Sequence, residues 1–159
     1  MKKIDQLKMT AFVRLFTFLK LPLLNWIKPS VIELGDERSI LKVPLSRRTK
    51  NHLGTMYFGA LSMGGEGVVA TAAVDEIRKS KLRIDFVFKE FHATFLKRAE
   101  GDVHFICEQT RDVRALIQKA IASKERETEV FRSYAVVPSK DPNEIVAEFK
   151  VSLSVKKRG

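Results

Sequence analysis

Residues 51–74, NHLGTMYFGALSMGGEGVVATAAV, hold one formally charged side chain, Glu66, in a chain of which 30% is charged. A run this apolar has to be covered on nearly all sides. Read as a helix from Thr55 to Val74, it contains Gly59, Gly64, Gly65 and Gly67, and each glycine costs about 1 kcal/mol relative to alanine in a helix interior. Such a helix would not stand alone. The glycines make sense where strands press so close to the helix backbone that a Cβ would clash, so the segment predicts a sheet wrapped around a central helix. Inside that wrap Glu66 would be desolvated, which disfavours its charged form and marks it as a candidate general base or nucleophile. A carboxylate on an outward side of the helix, or capping a nearby amide, is the structural alternative.

The rest of the chain supplies the sheet. Residues 6–21 are consistent with an amphipathic helix on which Leu7, Phe12, Leu15, Phe16 and Leu19 recur near helical spacing, ended by Pro22. Val31 to Leu45 is strand-like around a Gly35-Asp36 turn. KLRIDFVFKEFHATFL sets Leu82, Ile84, Phe86 and Phe88 against Arg83, Asp85, Val87 and Lys89, the alternation of a half-buried strand, and DVHFICEQ follows as another. Val113, Leu116, Ile117, Ala120 and Ile121 share one face of a second amphipathic helix. TEVFRSYAVVP and EIVAEFKVSLSVKK read as two final strands joined by a turn in SKDPNE. One compact α+β unit is expected, with residues 1–28 an N-terminal helical segment on a domain spanning 29–159.

With Cys107 as the single cysteine, neither an internal disulfide nor a Cys/His metal pattern can be assembled. That suits a reducing cytoplasm. The basic, Leu- and Phe-rich N-terminus reads as neither a signal peptide nor a membrane span, because Arg14 and Lys20 interrupt it. Packing on the domain, contact with a membrane surface and covering an acyl tunnel are its three open roles. A net charge of +10 attracts anions, with no finger or RNA-binding strand signature to make nucleic acid the partner.

The order N-x-L-G-T-x-x-x-G-x-x-x-x-x-x-E, formed by Asn51, Leu53, Gly54, Thr55, Gly59 and Glu66, resembles the hotdog-fold acyl-CoA thioesterases of the phenylacetate-degradation (PaaI-like) type. In that family a stretch like N-x-x-G-T-x-H-G-G leads into the central helix and an Asp or Glu follows. FHATFLKRAEGDVHF is similar to the family's strand, turn and strand after the helix, and from Val31 to Lys156 the resemblance covers about four fifths of the chain. It implies a hotdog fold, an antiparallel sheet wrapped around a long central helix, here with an extra N-terminal helix. It also implies hydrolysis of an acyl-CoA or acyl-carrier thioester, coenzyme A being part of the substrate, with no metal or redox cofactor. Glu66 falls at the position of the catalytic carboxylate, Asn51 at that of a residue orienting water or carboxylate, and the Phe58 backbone amide at that of the oxyanion donor. Gly54, Thr55, Met56, Tyr57 and Gly59 fall in the substrate-binding stretch, and His52 is a further candidate base.

The family's H-G-G reads Tyr57, Phe58, Gly59 here, so the histidine and the first glycine are replaced. Two subunits of such enzymes pair edge to edge, which implies a homodimer or homotetramer in which Asn51 and Glu66 meet across an interface. Lys97, Arg98, Lys150 and Lys156 are candidates for the phosphates of coenzyme A. The competing reading is a non-catalytic hotdog module that binds acyl-CoA or fatty acyl groups as sensor, carrier or membrane-associated partner. A dehydratase of the same fold is disfavoured, since no histidine occupies the usual helix-linked position.

Overall fold

The computed structural model describes residues 3–158. Helix α1 (Lys3–Lys20) and the short α2 (Pro22–Trp26) precede strands β1 (Ser30–Leu34) and β2 (Ser39–Val43). The central helix α3 (Phe58–Ser80) leads to β3 (Ile84–Phe95), β4 (Val103–Cys107), α4 (Thr110–Ser123), β5 (Arg126–Val137) and β6 (Asp141–Lys157). The six strands form one sheet in the order β1-β2-β4-β5-β6-β3, every neighbouring pair antiparallel. α3 lies against β2, β4, β5 and β6, and α4 packs on α3, β5 and β6. This is the sheet around a central helix that the sequence predicts, and the hotdog architecture that the resemblance implies.

The close approach inferred from the glycines is present at three of the four. A Cβ on Gly64 would stand 2.3 Å from the ring of Phe105, and one on Gly65 would stand 2.6 Å from that of Phe149. At Gly67 the neighbour is a Leu41 methyl at 3.1 Å. Gly59 differs: the atoms nearest to a Cβ there belong to the ring of Tyr57, at the helix cap, not to a strand. The helix begins at Phe58, three residues later than predicted, and runs on past Val74 through a polar stretch from Asp75 to Ser80 that ends on left-handed Lys81 at φ 56°.

The apolar face of β3 is continuous, but not by simple alternation. A bulge between Phe88 and Glu90 shifts the register, so that Phe91, Ala93 and Phe95 continue the face begun by Phe86 and Phe88. Asp141 and Pro142, read as turn, belong to β6. β3 pairs only as far as Ala147, so proline there removes no ladder bond on that side.

The N-terminal helix departs most from expectation. Pro22 does not simply stop it but opens α2 at the first position, where its missing N–H costs nothing. Of the predicted stripe, Leu7, Leu15 and Leu19 are exposed, while Val13 and Thr17 are buried and Met9 and Phe12 pack against the core. The same inward side closes the β1 edge of the sheet. Gln6 Nε2 donates to the Ile32 carbonyl at 2.6 Å, Thr10 Oγ1 accepts from the Val31 amide at 3.0 Å, and Arg14 Nε donates to the Pro29 carbonyl at 3.1 Å. The opposite edge, β3, pairs with β6 alone among the described residues, so the outer row of its backbone groups has no strand partner.

Candidate functional site

The loop entering α3 is built from its own polar side chains. Asn51 Oδ1 accepts from the amides of Leu53 at 2.9 Å and Thr55 at 3.2 Å, while its Nδ2 donates to Thr55 Oγ1 at 3.0 Å. Gly54, at φ +79°, takes the left-handed turn this closure requires. The ends of the loop are pinned from outside: the Met56 amide donates to the Ala99 carbonyl at 2.9 Å, and Asp102 accepts from the Leu45 amide and from Lys42 Nζ, both at 3.0 Å. The Gly-Asp turn read in the sequence thus holds the loop in place.

The result is a helix start with free donors. Tyr57 caps α3 in an extended conformation without a side-chain bond, and the first closing bond runs from the Leu61 amide to the Tyr57 carbonyl at 3.0 Å. The amides of Phe58, Gly59 and Ala60 donate to no described residue, and amides at a helix N-terminus suit a developing negative charge. Beside them is a cavity of about 510 Å³ lined by residues that include Asn51, His52, Met56, Phe58, Phe95 and Arg98. Phe58 is 57% exposed, and its ring meets that of Phe95 edge-on at 6.0 Å.

Of the other substrate-stretch candidates, Thr55, Met56 and Tyr57 also line the cavity. Gly54 and Gly59 do not, the latter lying beneath the Tyr57 ring. Leu61, Phe95, Leu96 and Ala99 line it without having been singled out in sequence; only the apolar end of β3 could have pointed to them. Among the cations, Arg98 and Lys97 are at this cavity, Lys97 in an ion pair with Glu144. Lys150 belongs to a separate hollow of about 450 Å³ with His92, Arg132 and Tyr134, and Lys156 to a third place on the surface.

Glu66 sits eight residues into α3, about 12 Å along the axis from Phe58 at 1.5 Å per residue. It shares a helix stripe with Gly59, Ser62, Ala70 and Ala73. It is half-buried, no described residue gives its carboxylate a hydrogen bond or an ion pair, and burial pushes its proton affinity above the usual glutamate range. Glu66 does not line the cavity that Asn51 lines, so one chain does not bring the two together. Nor does Asn51 have its side chain turned to the carboxylate, since the loop occupies it. Among the described residues no three His, Cys, Asp or Glu side chains group as a metal site. The lone thiol, Cys107, is buried in the core, which pushes it up to about 11.

Solved structures of low identity share this architecture. A protein of unknown function from Chlorobaculum tepidum superposes with a TM-score of 0.79 at 13% identity, over 96% of this chain and 97% of that one. A thioesterase from Haemophilus influenzae gives 0.62 at 12% identity, over 90% and 88%. A thioesterase enzyme from Staphylococcus aureus gives 0.62 at 15% identity, over 85% and 98%, and has been solved with a glutamine and, separately, a glutamate replaced by alanine. Those two positions are fifteen residues apart, the spacing of Asn51 and Glu66. No curated protein matches the sequence. The family described as Domain of unknown function (DUF4442) matches residues 9–155, and with its central helix wrapped by a single antiparallel sheet the chain belongs to that family and has the hotdog fold.

Proposed function

We propose that the protein hydrolyses an acyl thioester, with Glu66 as base or nucleophile. The observation that carries this reading is the state of Glu66: a half-buried carboxylate without a partner, on the one helix the sheet encloses, held with a raised proton affinity. An unpartnered charge there has no evident structural use, whereas a general base gains from a pKa nearer neutrality. The free amides of Phe58, Gly59 and Ala60 supply what a thioester oxyanion needs. The matching fifteen-residue spacing in the staphylococcal thioesterase adds support.

The site is completed by a second copy in this proposal. β3 offers an open edge, and Phe91 and Phe95 on its inner face are 40% and 43% exposed. Pairing along β3 would cover them and bring a partner's Asn51 loop towards Glu66. The acyl group would occupy the cavity between Met56, Phe58 and Phe95, and Arg98 at its rim would meet the phosphates of coenzyme A. A binding module without turnover is the second reading, favoured by one observation: Phe58, where the PaaI-like thioesterases it resembles have a glycine, lines the cavity.

Release of free thiol from a panel of short, long and aromatic acyl-CoA thioesters, measured for the wild type and Glu66→Gln, tests the proposal. Turnover lost in the variant is the expected result. Full activity in the variant refutes the role of Glu66, and saturable binding without turnover in the wild type establishes the module.

A further inference from the structure

The outward face of α1 and α2 is apolar where a solvent-facing helix is ordinarily polar. Ile4, Leu7, Leu15 and Phe18 follow one another at helical spacing and are 60–65% exposed; Leu23 and Trp26, at 71% and 55%, extend the face onto α2. This helix is not waiting for a place in the core, because its other side is already packed and seals the β1 edge through Gln6, Thr10 and Arg14. Lys3, Lys8 and Lys20 belong to α1, Lys28 follows α2, and Arg48 lies beside Trp26; all are exposed and none is in an ion pair with a described residue. The guanidinium of Arg48 lies over the ring of Trp26, 4.7 Å from its centroid. Within residues 3–28, Asp5 is the single acidic side chain.

We propose that this face docks on the surface of an anionic lipid bilayer. Leu, Phe and Trp side chains on one side of a helix, with lysine and arginine at its margins, are what an interfacial helix needs to sink into the boundary between headgroups and acyl chains. The long basic side chains reach from that depth to the phosphates. A second copy of the chain fits the same face poorly, since it would bring two basic arrays together with one aspartate each to answer them. No helix among the described residues is long and apolar enough to cross a membrane, so the contact is with one leaflet. Arg48 is three residues before Asn51, which places the loop of the candidate site next to the docked surface. The inference stands apart from the thioesterase reading, because its readout is binding to lipid.

Co-sedimentation of the full chain with vesicles of phosphatidylcholine, alone or mixed with phosphatidylglycerol, tests it. Binding to the mixed vesicles is expected to be roughly tenfold or more tighter and to weaken with salt. The paired substitution Leu15→Asp with Phe18→Asp, on side chains that touch solvent, is expected to lose binding by a similar factor with the circular dichroism spectrum unchanged. Trp26 is the sole tryptophan and reports on the unaltered protein: its emission is expected to shift to the blue on mixed vesicles and to be quenched by brominated lipid. Absence of binding to anionic vesicles, a Trp26 spectrum that does not respond, or full binding by the paired variant overturns the proposal. So does a wild type that self-associates at micromolar concentration and loses that association on the paired substitution, which assigns the face to a second copy.

Discussion

Glu66 and Asp75 lie nine residues apart on the same helix, both largely withdrawn from water, and their surroundings move their protons in opposite directions. Burial raises the proton affinity of Glu66, and nothing offsets it. Burial also acts on Asp75, 3% exposed, but hydrogen bonds from Lys79 at 2.7 Å and Arg78 at 2.9 Å outweigh it and hold the group below the ordinary aspartate range. Arg114 of α4 approaches the same carboxylate at 3.7 Å and reaches Asp36 at 2.7 Å, so Asp75 ties the end of α3 to its neighbours. The first half of the helix keeps a carboxylate available; the second half uses one as a fastening. A buried acid is informative about chemistry only after its partners have been counted.

The contrast can be broken experimentally. Glu66→Gln is expected to reduce thioester turnover by roughly 10²–10⁴-fold, the usual worth of a general base, as read in a thiol-release assay. Gly64→Ala should cost about 1–3 kcal/mol in a denaturant melt, since the new Cβ meets the fully buried Phe105 ring at 2.3 Å and overpacking outweighs the gain in helix propensity. Gly67→Ala, facing one Leu41 methyl at 3.1 Å, should come out near neutral. Asp75→Asn should lose about 1–2 kcal/mol, discounted because both cationic partners are half exposed.

The smallest effect carries the sharpest sign. Asp75 has a depressed folded-state pKa, so its stabilisation is present at neutral pH and is lost as pH falls through the carboxylate range; the deficit of Asp75→Asn should shrink there. Glu66 has a raised one, so its ionisation opposes folding at neutral pH. Glu66→Gln should therefore melt slightly higher at pH 7, by about 2–4 °C for each kcal/mol relieved, and the gain should vanish as pH falls and the wild-type glutamate protonates.

Much of the fold was legible in the sequence because burial leaves a local mark. The glycines of α3 announced the rings of Phe105 and Phe149, and the last strand's alternation from Phe149 to Val155 matched the side that faces the helix. Periodicity did not say which side of α1 faces the body, because apolar residues occupy both, and the packing was decided by Val13, Thr17 and the polar contacts of Gln6 and Thr10 with β1. The bulge at Lys89 was equally hidden, since the bulge is a property of the pairing with β6. At the candidate site, Glu66 stood out as the one charge in an apolar run, and attention to the amide of Phe58 came from the family resemblance. The engagement of Asn51 with Thr55, and its separation from Glu66, depend on how the loop closes against Ala99 and Asp102, which are distant in sequence.

The unequal edges of the sheet also set a limit on growth. A strand ladder open at both ends can be extended indefinitely, which is how ribbons and fibrils begin. Here Gln6, Thr10 and Arg14 spend their hydrogen bonds on β1, leaving β3, among the described residues, as the edge where a ladder could be continued. Two copies joined there would expose only sealed ends, so the ladder would stop at a pair. In the pairing proposed above, the N-terminal helix would act as a chain terminator for assembly, restricting edge-to-edge pairing to a finite product.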